Sequence, residues 1–378
     1  MNLENELLSL FKWLHQHPEI GCEEVNTTKR IRETLASEGV EILESPLETG
    51  LIARVTGAKP GRVIGLRCDI DALPIQEESG LEYASVNPGK MHACGHDFHT
   101  AVMLGAAILL KRQEAELAGT VKIVFQPSEE NANGAQIAVD SGLLDDVEEF
   151  YGIHSYPWFE TGTLGVKDGP VMAAPDRFEI TIHGKGTHAA EPNKGRDPIP
   201  AAATIALAAQ SVVSRSIDPF SSAVVSIAHI EAGNTWNIIP ETALLEGTVR
   251  TLNQGVREHI RRELARIAES VASTYGCTAD FRWHNGPAAV INDDALCNVV
   301  RELALKEGYR VDRQEDTMGG EDFSEYLRLC PGVFIRVGTG GSYPSHHPKF
   351  TVDPNALWPA AIFFAKLAAE RTNPRPRT

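Results

Sequence analysis

Side chains that bind divalent metals are concentrated in one short segment, MHACGHDFHT. Its candidate ligands are His92, Cys94, His96, Asp97 and His99. Thiolate and imidazole are favoured ligands of borderline and soft divalent metals, and the spacing of Cys94 and His96 allows both to reach one centre from a loop. A structural buried cysteine with helix-capping polar neighbours is the alternative interpretation.

Glu129 and Glu130 form a second candidate, shortly after the apolar segment VKIVFQP. Two adjacent carboxylates that point in different directions can divide the work, because one can bind a metal while the other accepts a proton from water. An isolated Glu-Glu pair is usually a solvated surface feature. Here the apolar strand before the pair and the NANG turn after it favour a cleft.

Histidines elsewhere in the chain could complete a metal site. His154 in YGIHSYP and His346-His347 in YPSHHPKF each follow an apolar segment, so each could supply an imidazole from a separate loop. A lone histidine is more often a hydrogen-bonded structural residue than a ligand. Together, however, the cysteine, the glutamate pair and these histidines offer enough ligands for two metal ions.

Four other polar residues could support such a site. Asp69 and Asp71 suit carboxylates that accept the second N–H of a metal-bound imidazole, although they could instead cap the following turn. His188, on a glycine-rich loop, and Asn237, in GNTWNIIPE, could polarise a carbonyl oxygen. A turn histidine and a loop-capping asparagine are the alternatives for this pair.

Strands and helices have to position these side chains. Two stretches, RVIGLRCDIDALP from Arg62 and VKIVFQPSEE at 121–130, are typical of buried strands that run into acids, and a helical pattern at 100–112 lies between them. This alternation predicts a largely parallel α/β sheet, in which ligands bind beyond the carboxyl ends of the strands. The acidic residues fall at that edge.

A second pattern begins after Ala174. It consists, in order, of the alternating strand RFEITIHG, a small-residue helix at 198–212, the strands AVVSIAHIEA and ALLEGTVRTL, a charged amphipathic helix at 254–274 and a strand near 279–285. This β-α-β-β-α-β order predicts a ferredoxin-like domain at 177–290. It would interrupt a catalytic domain made of 1–176 and 291–378.

The end of the chain would complete the catalytic domain. The sequence predicts a helix near 293–307, a strand at GVFIRVG and a final helix at 355–371. The tail at 373–378, NPRPRT, is expected to fray.

Composition narrows the classes of function. A length of 378 residues favours two domains, and a net charge of −16 with a pI near 5.3 disfavours nucleic acid and anionic membranes as partners. The six cysteines include no CxxC pair, which favours a reducing compartment and hence the cytoplasm. The N-terminal pattern predicts a helix and not a signal peptide, and the longest apolar stretch, Ala101–Leu110, is too short to span a bilayer.

Taken together, these motifs resemble the M20 metallopeptidase family. Within it they resemble the aminoacylase-like amidohydrolase branch, which includes hippurate hydrolases, auxin-conjugate hydrolases and N-acetyldiaminopimelate deacetylases. The resemblance covers nearly the whole chain through HQHPEIGCEE, RCDIDALP, MHACGHDFHTA, VFQPSEE, GTHAAEP, NIIPE, GTVRT, MGGEDFSEY and HHPKF. It implies Glu129 as the general base and, as metal ligands, Cys94, His96, Glu130, His154 and His346.

Two positions refine this resemblance. The family pattern has a histidine two residues before a proline, which selects His346 over His347. Peptidases of the wider family carry a histidine where this chain has Asp69, so a centre with a cysteine ligand would compensate. That departure favours the amidohydrolase branch.

The resemblance also implies architecture and chemistry. A catalytic α/β domain would be interrupted by a ferredoxin-like lid that pairs two subunits, so the chain would form a homodimer through 177–290. The cofactors would be two divalent metal ions, zinc or manganese, with cobalt or nickel as alternatives. The predicted catalytic residues are Glu129, Asp71, His188 and Asn237. Glu129 would take a proton from water and return it to the leaving amine, while His188 and Asn237 would stabilise the oxyanion, even from the partner subunit.

The predicted function is metal-dependent hydrolysis of the amide bond of N-acyl amino acids, N-acetyl or N-benzoyl in type, to a carboxylic acid and a free amino acid. Arg250 in GTVRT is a candidate for binding the substrate carboxylate, with a surface salt bridge as the alternative. Three other functions stay open: a metal dipeptidase or carboxypeptidase, a cysteine hydrolase with Cys94 as nucleophile, and a non-catalytic ligand-binding relative.

Overall fold

The computed structural model describes residues 2–131, 133–313 and 315–374. The chain forms two compact units, the first from Met1–Gly169, Ile291–Glu315 and Asp322–Thr378 and the second from Pro170–Val290 and Asp316–Glu321. The second unit therefore begins before residue 177 and includes a short segment that the sequence assigns to the other domain. In that segment Gly319 O accepts a hydrogen bond of 2.9 Å from Ala173 N. Of the tail that is predicted to fray, residues 375–378 lie outside the described residues.

Six of the helices correspond to predicted ones, whereas α2 and α4 were not predicted. In chain order the α-helices are α1 (Leu3–Gln16), α2 (Val25–Ser37), α3 (His96–Arg112), α4 (Gly134–Asp140), α5 (Pro198–Ser211), α6 (Gln254–Thr274), α7 (Asp294–Lys306) and α8 (Leu357–Arg371). Short 3-10 turns cover Pro192–Lys194, Asp322–Arg328 and Pro354–Ala356, and a π turn covers Val212–Ser216. The start of α3 differs from the prediction by four residues, because the left-handed Gly95 (φ 84°) ends the preceding loop and the helix begins at His96.

The strands are also numbered in chain order. They are β1 (Glu41–Ile42), β2 (Leu51–Thr56), β3 (Lys59–Asp69), β4 (Ala118–Gln126), β5 (Glu149–Tyr156), β6 (Thr163–Gly165), β7 (Gly169–Met172), β8 (Ala174–His183), β9 (Thr187–His188), β10 (Ala223–Ala232), β11 (Ile238–Ile239), β12 (Thr242–Thr251), β13 (Thr278–His284), β14 (Val290–Asn292), β15 (Arg310–Asp312) and β16 (Gly332–Gly338).

The first unit is built on an eight-stranded sheet with the order β1-β2-β4-β3-β5-β16-β6-β15. Its four central strands, β4, β3, β5 and β16, all run in the same direction, and antiparallel pairing occurs towards the edges. The predicted mixed, mostly parallel sheet is therefore confirmed. Because the central strands are parallel, their carboxyl ends meet at one edge of the sheet.

Helix α3, which leads away from that edge, is held tightly in the first core. A Cβ added at Gly105 would lie 2.6 Å from Leu7 of α1 and 2.7 Å from Ala361 of α8. The absence of a side chain at this position lets α3 approach both neighbours closely. The stretch Ala101–Leu110 is thus a core helix, as predicted, and all its residues except Leu109 are buried.

The second unit contains a four-stranded antiparallel sheet with the order β10-β12-β8-β13. Strand β8 alternates between buried and more exposed residues, so Phe178, Ile180 and Ile182 face a core shared with α5 and α6. The element order and sheet order confirm the ferredoxin-like arrangement.

Two general predictions can be compared with these elements. Among the residues that the structure describes, no helix combines the length and apolar character needed to cross a membrane. All six cysteines are free thiols.

Candidate metal centre

The parallel strands gather the candidate residues at one edge of the first unit's sheet. Asp69 ends β3, Glu129 and Glu130 follow the end of β4, and His154 lies near the end of β5. The prediction that His154 comes from a loop is wrong, because this residue lies within the strand. A strand fixes the direction of its side chain more firmly than a loop would.

The loop that carries Cys94 is docked on the end of β5. Ser155 Oγ donates a hydrogen bond of 3.0 Å to Cys94 O. Gly95, with φ of 84°, allows this approach, since an added Cβ would lie 2.4 Å from Ser155 Oγ. Cys94 on the loop and His96 at the start of α3 are thereby brought to His154.

Two groups of potential ligands share Cys94. One ligand atom from each of Cys94, His96 and His154 lies within 4.8 Å of the others, and the same holds for Cys94, Glu130 and His346. Cys94 Sγ is 3.6 Å from His154 Nε2, and Glu130 Oε1 is 3.2 Å from His346 Nε2. The five residues that the resemblance implies as ligands therefore lie together.

The Nε2 atom of His96 supports the presence of a cation at this site. The ring is buried, and His96 Nδ1 lies 3.1 Å from Asp71 Oδ1, so in the neutral ring Nδ1 donates to this carboxylate and Nε2 carries the lone pair. Among the described residues this Nε2 makes no hydrogen bond. A buried acceptor beside a thiol, a second imidazole and a carboxylate fits a divalent metal well, because such atoms rarely stay unpaired.

His154 is also prepared as a neutral ligand. Its Nδ1 donates to Ser155 O at 2.7 Å, which leaves the lone pair on the Nε2 that faces Cys94. Burial, with a further contribution from nearby His99, places the pKa of His154 well below its usual range. The neutral imidazole is the form that binds metals.

Asp71 orients two of the candidate ligands at once. One carboxylate oxygen accepts from His96 and the other accepts from Glu130 N at 3.0 Å. Glu129, the predicted base, follows the same strand, and one of its oxygens lies within 4.8 Å of ligand atoms of His96 and Glu130. Asp71 is thus placed to position His96 and the backbone of Glu130, and its predicted catalytic role stays a prediction.

His99 is engaged through both ring nitrogens and does not suit a ligand role. Its Nδ1 donates to Asp69 Oδ1 at 2.6 Å, and its Nε2 accepts from Ser155 N at 2.6 Å. Arg67 donates to the other oxygen of Asp69 at 2.9 Å. Burial opposes the charge on Asp69, but His96, Arg67 and His99 hold its pKa well below the usual range.

Asp97 and His92, in the same MHACGHDFHT segment, belong to neither ligand group. Asp97 accepts a hydrogen bond of 2.7 Å from the buried His15 of α1. His92 is buried, its two ring nitrogens make no hydrogen bond among the described residues, and burial lowers its pKa to about 4. A pKa this low keeps the His92 ring neutral at ordinary pH.

The geometry distinguishes between the two adjacent histidines near the chain end. His346 has a left-handed backbone (φ 67°), and its N–H donates to Ala93 O at 2.8 Å. Its ring lies beside Cys94 and Glu130, with Nε2 3.2 Å from Glu130 Oε1. His347 instead stacks on Tyr343 with ring centroids 4.4 Å apart. The position of His346 therefore favours it as the ligand.

His188 and Asn237 lie beside each other in the second unit. Short strands β9 and β11 pair His188 with Ile238, and Ala189 N donates to Asn237 O at 3.0 Å. Arg250, in the same unit, donates to Thr248 Oγ1 at 3.2 Å and lines a cavity of about 360 Å³. Contact of these residues with a substrate stays a prediction.

Several supporting residues were not identified as such from the sequence. These are His15, which bonds Asp97 and Glu77; Arg67, which bonds Asp69 and Asp322; Glu24, which bonds Ser128; and Ser155. His15 carried one usable signal, because it is a polar residue on the apolar face of an amphipathic helix.

The chain resembles known proteins over most of its length. Residues 65–370 match the model of peptidase family M20/M25/M40. An N-acetylcysteine deacetylase of Bacillus subtilis is 48% identical over 363 residues, which cover 96% of each chain. A thermostable carboxypeptidase of Saccharolobus solfataricus is 36% identical, covering 98% of this chain and 96% of the relative.

A solved structure agrees with both the fold and the family. The crystal structure of a Bacillus subtilis protein, described as a dinuclear metal binding peptidase of the M20 family, matches with a TM-score of 0.89 and 44% identity and covers 98% of each chain. With the family model and the relatives, this match shows that the chain belongs to peptidase family M20/M25/M40.

Proposed function

We propose that this chain is a metal-dependent amidohydrolase that cleaves N-acyl amino acids to a carboxylic acid and a free amino acid. The observation that carries the proposal is the pair of ligand groups sharing Cys94, with a second glutamate, Glu129, next to the ligand Glu130. The relative that is 48% identical is named as an N-acetylcysteine deacetylase, and its substrate belongs to this class.

Two divalent cations are proposed as cofactors, held by Cys94, His96, Glu130, His154 and His346. Bound cations of this kind lower the pKa of water and polarise carbonyl oxygens. The similar Bacillus subtilis structure is described as dinuclear, which supports the number of ions. A thiol and three imidazoles favour zinc, and manganese is the second choice, ahead of cobalt and nickel.

Glu129 is proposed to move the proton. It accepts a proton from the attacking water and later donates it to the leaving amine, so one carboxylate serves as base and then as acid. Because Asp71 holds the backbone of the next residue, Glu130, at 3.0 Å, the position of Glu129 is restricted before substrate arrives. Such preorganisation is what general acid–base catalysis requires.

His188 and Asn237 are suited to stabilise the oxyanion. Ala190 N donates to His188 Nδ1 at 3.0 Å, so in the neutral ring Nε2 carries the proton and can donate. Thr235 Oγ1 donates to Asn237 Oδ1 at 3.2 Å, which leaves the amide N–H groups as donors. Hydrogen-bond donors of this kind stabilise a tetrahedral oxyanion.

A carboxypeptidase or dipeptidase is the second candidate. The relative named as a thermostable carboxypeptidase, 36% identical over nearly the whole chain, is the observation in its favour. The higher identity to the deacetylase and Asp69 in place of a histidine favour the amidohydrolase.

A substrate panel separates these two functions. The purified protein, supplied with zinc or manganese, is given N-acetyl- and N-benzoyl-amino acids, free dipeptides and N-blocked dipeptides, and release of amino acid is measured. The amidohydrolase proposal predicts the highest kcat/KM on N-acyl amino acids. Preference for dipeptides by tenfold or more would contradict it.

The chain is also proposed to act as a cytoplasmic homodimer on a small-molecule substrate, without nucleic acid or membrane partners. Free thiols and an acidic charge of −16 support the location and the lack of polyanion partners. Exposed apolar side chains in the second unit support a dimer, with Leu207 at 76%, Phe220 at 99% and Trp236 at 92% exposure.

A further inference from the structure

The turn that carries Glu129 and Glu130 contains a residue in an uncommon backbone conformation. Ser128, directly before Glu129, has a φ of 55°. A residue with a Cβ avoids this left-handed region unless neighbouring groups hold it there. The contacts of Ser128 therefore show how the turn is fixed.

Glu24 supplies the principal contact. Its carboxylate is buried, and Oε1 accepts a hydrogen bond of 2.8 Å from Ser128 N. The other oxygen accepts from Thr49 Oγ1 at 2.8 Å. Glu24 thus reaches the turn from a segment that is 104 residues away in sequence.

The chain before Glu24 lies directly against the same turn. A Cβ added at Gly21 would lie 2.5 Å from Asn131 Nδ2 and 2.8 Å from Ser128 Oγ. Cys22 Sγ donates to Ser128 Oγ at 3.4 Å. Glu24 is therefore part of a close packing surface and not an isolated long side chain.

A second carboxylate holds the other side of the turn. Asp71 Oδ2 accepts from Glu130 N at 3.0 Å. Glu129 consequently lies between two backbone N–H groups, at Ser128 and at Glu130, each of which donates to a buried carboxylate.

We propose that Glu24 is a positioning residue for the base Glu129, because it fixes the left-handed Ser128 while Asp71 fixes Glu130. This inference rests on the proposed function. Glu24 acts through the backbone and does not touch substrate. Displacement of a catalytic group by about 1 Å can lower a rate by roughly 100-fold, so loss of this contact would reduce kcat.

The geometry predicts that hydrogen-bond acceptance, and not charge, is what matters at Glu24. In Glu24→Gln the amide oxygen can still accept from Ser128 N, and the amide nitrogen can donate to Thr49 Oγ1. Glu24→Ala removes the acceptor. Thr49→Val removes the hydrogen bond to the other oxygen only and serves as the matched control.

The test compares these variants as purified, metal-loaded protein. For Glu24→Ala we expect a kcat that is roughly 10- to 100-fold lower, a KM within threefold of wild type and an unchanged metal content, since Asp71 still holds Glu130. Glu24→Gln and Thr49→Val should stay within about threefold of wild type. Adding Ser128→Gly to Glu24→Ala should recover at least part of kcat, because glycine adopts positive φ without outside support.

Hydrogen exchange of the 128–131 backbone gives a readout that does not depend on activity. Exchange should be faster in Glu24→Ala than in wild type or Glu24→Gln. Three results would overturn the inference: hydrogen exchange in Glu24→Ala that matches wild type, a wild-type kcat in Glu24→Ala, or equal losses of kcat in Glu24→Ala and Glu24→Gln. If the wild type lacks amidase activity, or Glu129→Gln retains it, the proposed function fails, while exchange still tests the contact between Glu24 and Ser128.

Discussion

At the scale of single residues, two of the candidate ligands, His96 and His154, are oriented in the same way. Each of His96 and His154 donates its Nδ1 proton to an oxygen, of Asp71 and of Ser155 respectively, so that Nε2 presents a lone pair to the site. A fixed tautomer and ring direction raise metal affinity, because less reorganisation is needed on binding. The chemistry of the site therefore depends on residues that do not bind the metal.

His346 and His347 offer a matched comparison. His346→Ala should lower metal content from two ions towards one per chain and reduce kcat at least 100-fold, because this ring lies 3.2 Å from Glu130. His347→Ala should leave metal content and kcat unchanged, since His347 stacks on Tyr343 and its Nδ1 accepts from Lys349 N. Metal analysis of dialysed protein and kcat measure both effects. The reverse pattern would assign the ligand to His347.

At the scale of elements, the first turn of α3 determines whether Cys94 and His96 reach the site. Two features outside the helix fix that turn: the close approach of Gly95 to Ser155, and the ion pairs of His15 in α1 with Asp97 and Glu77. Both join distant segments to the start of one helix. Each can be tested by a single substitution.

Gly95→Ala should weaken metal binding. The variant places a Cβ 2.4 Å from Ser155 Oγ in addition to the cost of a positive φ, about 1–2 kcal/mol. Gly89→Ala is the control, because Gly89 has a similar φ of 72° but no atom within 4 Å of the added Cβ. We expect zinc affinity by calorimetry to fall at least tenfold in Gly95→Ala only. Equal losses in the two variants would attribute the effect to backbone strain alone.

The ion pairs of His15 predict a dependence of stability on pH. Burial lowers the pKa of His15, but hydrogen bonds to Asp97 and Glu77 outweigh it and raise the pKa from 6.5 to about 9. Because the pKa is raised on folding, protonated His15 stabilises the folded state. This stabilisation is fully present below pH 6.5 and is lost as the pH rises through about 9. The free energy of unfolding should thus fall between pH 6.5 and 9.5 by about 3 kcal/mol more in wild type than in His15→Gln. Parallel curves from denaturant titrations would contradict this role of His15.

Local patterns predicted the longer helices and strands, but not α2, α4 or most of the short strands, and few of the contacts between elements. The helix at 254–274 and the strand GVFIRVG lie where the sequence places them, because their apolar periodicity is a local property. The contact of Glu24 with Ser128 spans 104 residues, and that of His15 with Asp97 spans 82. No spacing rule connects such distant positions. Candidate ligands were predictable because metal binding restricts residue type, whereas supporting residues only need to donate or accept a hydrogen bond.

At the scale of the whole molecule, each unit has its own apolar core. The first contains α1, α3 and α8 against the large sheet, and the second contains α5 and α6 against the four-stranded sheet. The proposed ligands all belong to the first unit, whereas His188 and Asn237 belong to the second. If both sets act on one substrate, activity requires the two units together, and the proposed dimer would concern the second unit.

The oligomeric state tests that last proposal. Sedimentation equilibrium should show a dimer of the 41.1 kDa chain. Leu207→Glu, which charges an apolar side chain of α5 that is 76% exposed, should shift the protein towards monomer. Val25→Glu, at a residue of the first unit that is 63% exposed, is the control and should stay dimeric. A monomeric wild type would contradict the proposed dimer.

The central claim is that a metal centre and Glu129 together hydrolyse an acyl-amino acid amide. The most direct measurement is the hydrolysis of N-acetyl-amino acids by the same preparation before chelation, after exhaustive chelation, and after zinc or manganese is added back, with Glu129→Gln alongside. The account predicts activity that disappears with the metal, returns with it and falls by several orders of magnitude in Glu129→Gln, which should still bind metal. Activity that survives metal removal but is lost on alkylation of Cys94 would contradict the account and identify a cysteine hydrolase.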